Sequence, residues 1–227
     1  KERNSWIIFS DDDVSFSPQV LEAYLKHFAQ HSPLERIYFG GACASNIQKL
    51  TLAKQLQPHL PLSISGFTSE SYGIRMPTWF FLGFNWAVPR RAFDDIGFFN
   101  SAFGPGSPSN ATGSESDFQR RLFQAKYAPV FLPDALVVHR APEDTITLQW
   151  LVERKFRNGV EYAQHRLMNA SFVRAIIETL KIIALFACAQ RFRLWSKRDL
   201  PSRTFTLAFH KGTIRGAFFS WFIFSKR

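Results

Sequence analysis

The sequence predicts an α/β protein whose sheet-forming part is followed by a basic helical region, and three observations carry that prediction. The first is "WIIFSDDDVSFSP", residues 6–18, where a short apolar run enters three consecutive acids. A run this continuously aromatic or branched suits a strand covered on both faces better than an alternating surface strand. The second is a helix start directly after the acids. Ser17 is placed to cap a helix that has Pro18 at its first position, and Val20, Leu21, Tyr24, Leu25 and Phe28 recur at one-face helical spacing. The third is the distribution of charge. Of 28 Lys+Arg and 18 Asp+Glu, 13 and 14 precede residue 146, which leaves 15 basic and 4 acidic residues in 146–227, a net of +11 there. The chain thus divides into two regions: 1–145, an α/β core, and 146–227, a basic helical region.

Composition narrows the class further. At 227 residues, 46% hydrophobic and 16% aromatic, the chain has material for a sizeable core and is not disordered by composition. Cys43 and Cys188 have no metal-ligand spacing and are too few for a disulfide framework, which favours a reducing, cytoplasmic setting. The sequence opens at Lys1, its methionines are Met76 and Met168, and no signal-peptide pattern precedes the first strand. It is expected to be part of a longer protein.

The remaining elements read in order. "RIYFGGACA" is a second short strand in which Gly40 and Gly41 permit a bulge or turn. Residues 45–82 read mostly as loop, with a short helix over "IQKLTLAKQL". Pro89 is placed to open a helix with Val88, Ala92, Phe93 and Ile96 on its apolar face and Gly97 at its end. The Gly, Ser and Pro of residues 101–114 predict a flexible loop rather than a domain linker. "SESDFQRRLFQAKY" is a helix with Phe118, Leu122 and Phe123 inward, and "PVFLPDALVVHR" gives two short apolar runs ending in His139. Beyond it come helical patterns in 145–166 and 171–192. The apolar stretch 182–189 is too short to span a bilayer, and the final "GTIRGAFFSWFIFSKR" is aromatic and basic. These segments predict amphipathic helices lying on an anionic membrane surface.

The acids raise the question of chemistry. Asp11, Asp12 and Asp13 repel one another unless something positive neutralises them, and a hard divalent cation does so through oxygen. Loops at the carboxyl ends of strands are also where open α/β sheets bind ligands. Mg²⁺ or Mn²⁺ carrying a diphosphate would satisfy both requirements, while a solvated loop before a helix N-terminus would suit the same residues. Glu115 and Asp117 suit first-turn acids after Ser114, and Glu115 alternatively suits a general base. His139 fits a structural histidine or a ligand beside Asp13. Arg90 and Arg91 suit a phosphate clamp or a solvated turn, and Trp79 and Trp86 a sugar platform or the core.

Taken in order, "IIFSDDDVSFSPQVLEAYL", "FLGFNWAVPRRAFDDIGFFN", "SESDFQRRLFQAKY" and "PVFLPDALVVHR" resemble the second half of the family 2 glycosyltransferases, inverting enzymes with the Rossmann-like GT-A fold. The resemblance covers about residues 5 to 140. It implies that Asp11 and Asp13 form a D-x-D motif, with Asp13, Asp11 and His139 toward the metal, Asp13 nearest it, and Asp11 and Asp12 toward the ribose and diphosphate of a nucleotide-diphospho-sugar. It implies that Glu115 is the general base, with Asp117 the fallback because Ser114 stands where the family usually carries a second acid, and that the 101–114 loop orders over the bound donor. It also implies that the turn Gly83 to Asn85, with Trp86, lines the acceptor side. The family's N-terminal half, with its first nucleotide-binding strands, has no counterpart, so weak donor binding is expected of these 227 residues alone. The membrane-facing region makes a lipid-linked or cell-surface saccharide the expected acceptor, and the location peripheral, at the inner face.

Two other classes share some of these features. A metal-dependent phosphoesterase or nuclease also clusters carboxylates with a histidine. Its nucleic-acid groove would be hydrophilic, however, whereas the basic residues here are interleaved with Phe, Ile, Leu and Trp, so nucleic acid is not the expected partner. A non-catalytic membrane-binding module would use the tail alone and leave the acids structural.

Overall fold

The apolar run at the head of the chain forms strand β1, Trp6–Phe9, in a computed structural model that describes residues 4–45, 54–74, 76–104, 106–140, 146–168, 170–195 and 200–224. The chain divides into two compact units. One comprises Lys1–Leu52, Leu60–Phe99 and Glu115–Thr145, the other Ala53–His59, Asn100–Ser114 and Ile146–Arg227. Segments 53–59 and 100–114, which patterning alone assigns to the α/β core, thus belong to the helical unit.

In the first unit β1 is joined by β2 (Val14–Ser15), β3 (Ile37–Cys43), β4 (Trp86–Pro89) and β5 (Ala128–His139) in an open five-stranded sheet of order β1-β4-β3-β5-β2. β3 and β5 are parallel, and the other neighbours are antiparallel, so this is a mixed α/β sheet. Helix α1, Pro18–Gln30, starts at the expected proline. Its buried stripe is narrower than the spacing suggests: Val20, Ala23 and Tyr24 are buried, while Leu21 and Leu25 are each 54% exposed.

Pro89 does not open a helix. It ends β4, opposite Trp6, where a residue without an N–H costs least. Helix α3 follows at Ala92–Ile96, and Gly97 closes it with φ 76°. "PVFLPDALVVH" lies within one strand, not two. The β5 register jumps from Leu132 to Leu136 opposite Gly41 and Ala42, a bulge that leaves Pro133 outside the ladder. The expected irregularity beside the β3 glycines is therefore carried by the partner strand. Of the helix expected over 47–56, residues 47–53 lie outside those described, and Lys54–His59 is a 3-10 turn; a one-turn helix α2, Leu62–Ser65, follows.

Helix α4, Ser114–Gln124, buries Phe118 and Leu122 as expected, but Phe123 is turned outward. Gln119 is fully buried instead, its Oε1 accepting from the Phe81 N–H at 2.7 Å. The aromatic fraction of the chain fills this core with stacked rings: Phe9 on Trp86 at 4.4 Å and Phe99 on Phe118 at 4.7 Å between centroids.

The second unit holds helices α5 (Leu148–Leu167), α6 (Phe172–Trp195) and α7 (Leu200–Phe224). Thr147 caps α5, its Oγ1 accepting from the Trp150 N–H at 3.1 Å. α6 buries Ala175, Ile182 and Glu178, and Glu178 is bound by Arg166 at 2.9 Å and Lys181 at 3.0 Å. Its outward positions include Phe172, Val173, Ile177, Leu180, Ile183 and Leu185. The outer face of α6 is thus largely apolar, with Arg174 and Lys181 also exposed on the helix. Among the described residues no helix is long and apolar enough to cross a membrane.

The loop 100–114 is anchored rather than free. Ser109 Oγ lies 3.1 Å from Gln164 Oε1, Thr112 Oγ1 lies 2.5 Å from Glu161 Oε2, and Phe103 stacks on His165 at 4.3 Å. These ties to α5 oppose the sequence reading of a flexible segment that orders on a ligand.

Candidate active site

Three separate pieces of the first unit bring Asp11, Asp13, Glu115 and His139 into one electrostatic neighbourhood: the turn after β1, the start of α4 and the end of β5. The two-residue strand β2 sets the register. Val14 pairs with His139, and the Arg140 N–H donates to the Asp13 carbonyl at 2.7 Å. The Asp13 side chain then meets the imidazole, with Oδ2 3.2 Å from His139 Nε2.

Asp11 shows the strain of this arrangement. Burial pushes its carboxyl above the usual range, and Asp13, Glu115 and Asp12 push it further, against an opposing pull from His139. An acid whose folded pKa exceeds its unfolded value costs stability once ionised, so stability is lost as pH rises above 3.8, the ordinary value, through the folded pKa. Asp11→Asn is therefore expected to raise the Tm of the metal-free chain at pH 7, by an amount that shrinks as pH falls toward the ordinary value. Circular-dichroism melts across that range check it. A variant no more stable than wild type at neutral pH would show that Asp11 bears no such cost.

Glu115 is positioned by Gly83. A Cβ added at Gly83 would sit 2.8 Å from Glu115 Cγ and 3.0 Å from its Cδ, so the absent side chain is the space the carboxylate stem occupies. The turn around Gly83 is fixed from beneath, because the Trp86 indole N–H donates to the Gly83 carbonyl at 3.0 Å. Phe84, the middle residue of that turn, lies flat against His139, with centroids 5.0 Å apart and planes 11° from parallel.

Other expected site residues go elsewhere. Asn85 is fully buried: it accepts from the Tyr24 hydroxyl at 2.8 Å and donates to the Ala42 and Ala135 carbonyls, each at 2.8 Å. Trp86 is also fully buried. Neither offers surface to an acceptor; both hold the turn that carries Gly83. Asp117 is buried and bound at 2.9 Å by each of Arg120 and Arg121, which ties up the fallback base. Arg91 bonds the Leu34 carbonyl and Asp95, and Arg90 pairs with Asp94 at 3.6 Å, so the arginine pair serves α3 and the segment between α1 and β3.

The donor set suits a hard cation of the Mg²⁺ or Mn²⁺ kind. Asp13 Oδ1 is buried without a hydrogen-bond partner among the described residues, and its other oxygen already faces an imidazole nitrogen. The described residues hold no ready-made group of three metal-ligating side chains. An ion that keeps one or two protein carboxylates and fills its shell with water and phosphate oxygen does not require one.

The fold and the site define an α/β protein with carboxylates and a histidine gathered around strand ends of its sheet. Compared with known proteins, the chain matches no protein-family model and no curated protein.

Proposed function

We propose that the chain transfers a sugar from a nucleotide-diphospho-sugar to an acceptor hydroxyl with inversion, in the manner of a GT-A glycosyltransferase of family 2. The observation that carries the reading is the convergence of Asp11, Asp13, Glu115 and His139 from positions as distant as 11 and 139 in the sequence. In this reading Asp13 and His139 hold Mg²⁺ or Mn²⁺, while Asp11 and Asp12 face the ribose and diphosphate. A divalent cation there supplies positive charge to a leaving diphosphate. Glu115 accepts the proton of the acceptor hydroxyl as its oxygen attacks the anomeric carbon from the face opposite the nucleotide. One displacement from the opposite face inverts that centre, and Gly83 leaves the carboxylate room to act.

The helical unit adds a location. The net charge of +11 in residues 146–227 and the apolar outer face of α6 suit a peripheral position on an anionic, cytoplasmic membrane surface, and so a lipid-linked or cell-surface saccharide acceptor.

The test is a panel of nucleotide-diphospho-sugars offered with Mn²⁺ and lipid acceptors. Release of nucleoside diphosphate with an inverted product by NMR, lost in Asp13→Ala, is the expected result. Release of phosphate from monoesters, or cleavage of nucleic acid without any sugar nucleotide, would instead identify a phosphoesterase.

A further inference from the structure

The first half of α5 carries a charge cluster that the carboxylate site does not use. Arg154, Lys155 and Arg157 fall within one turn, each half-buried, and the Arg154 guanidinium lies 5.3 Å over the Trp150 ring. Arg154 and Arg157 are three apart and share a face. Burying cations is costly unless anions pair with them. Among the described residues no carboxylate is within ion-pair range of these three. Glu161, which acts on Arg154 from a distance, is engaged by Thr112 at 2.5 Å and by His165 at 3.7 Å. Glu153 accepts from Gln149 at 3.0 Å. Burial accordingly holds Arg154 and Lys155 below their ordinary pKa ranges, and the neighbouring cation lowers each further.

We propose that Arg154 and Arg157, backed by Trp150 on the same face and supported by the charge of Lys155 on the neighbouring face, form a binding site for a phosphomonoester or diphosphate. Two guanidinium forks on one face match a compact group with several anionic oxygens, whereas a single carboxylate would leave much of the positive charge unanswered. The group can arrive as a lipid headgroup or as a soluble phosphate. The inference draws on the helical unit alone and does not rest on the glycosyl-transfer reading.

The experiment titrates inorganic pyrophosphate into the full chain by calorimetry, with EDTA present to silence any metal-dependent binding. Saturable binding is expected, weakened on the order of tenfold per lost cation in Arg154→Gln/Arg157→Gln. It should be unchanged in Asp13→Asn and in Arg174→Gln/Arg215→Gln, which removes equal charge from α6 and α7. A second arm compares sedimentation with phosphatidylcholine vesicles carrying phosphatidic acid or phosphatidylserine at equal surface charge. Preference for phosphatidic acid, lost in the α5 double variant, assigns a lipid headgroup; pyrophosphate binding without that preference assigns a soluble phosphate. Wild-type protein that binds neither pyrophosphate nor phosphatidic acid preferentially would overturn the proposal, whatever the folding of the variants. Equal weakening by both arginine pairs would overturn it too, by reducing the effect to net charge.

Discussion

Glu115→Gln is expected to lower glycosyl transfer by about 10²–10⁴-fold, the usual worth of a positioned general base, while the protein keeps its fold and its Mn²⁺ affinity. The amide is nearly isosteric and fits the space that Gly83 leaves open, so the packing around it is retained. The variant lacks only a carboxylate able to take the acceptor proton. Because that proton moves in the transition state, the loss should fall on kcat with KM for the donor little changed. Gly83→Ala is the matching test from the other side. Its new Cβ, 2.8 Å from Glu115 Cγ, must displace the carboxylate, so activity should fall although every charged group is still present. A Glu115→Gln enzyme as fast as wild type would remove this residue from the mechanism.

Gly212→Ala is expected to destabilise the helical unit by about 1–3 kcal/mol, the reverse of its effect on an exposed helix, where the same change stabilises by roughly 1 kcal/mol. The reason is the approach of α5 to α7. A Cβ on Gly212 would collide with the Phe156 carbonyl oxygen, and one on Gly159 would collide with the Phe209 carbonyl oxygen. Each obstacle is backbone, which cannot rotate away, so the helices must separate. The two sites face the same contact, and the second substitution should cost less once the first has opened it. Denaturant titration of the single and double variants measures this. Additive or stabilising changes would show that the helices do not meet there.

Much of the site can be read from the sequence, because short-range signals mark it. The acids stand where an apolar run stops, Pro18 announces α1, and His139 ends an apolar run. The features that escape the sequence are set by partners far along the chain. β2 is two residues long and has no periodicity; it exists because Val14 pairs with His139. β4 is four residues of apolar sequence ending in a proline, and the helix-start signal of that proline outweighs so brief a run. The resemblance puts Asn85 on the acceptor side, yet its partners are Tyr24, Ala42 and Ala135, each more than forty residues away. The composition of 101–114 says loop correctly and mobility incorrectly, since Ser109 is fixed by Gln164, 55 residues on.

The most direct test of the central claim, that Asp13 and its neighbours form a cation-dependent diphosphate site, is Mn²⁺ binding by the whole chain with and without a nucleoside diphosphate. The account predicts binding that the diphosphate strengthens and that Asp13→Ala abolishes, because Asp13 places one oxygen against His139 and leaves the other unpartnered. No Mn²⁺ binding in either condition, or equal binding by wild type and Asp13→Ala, would contradict it.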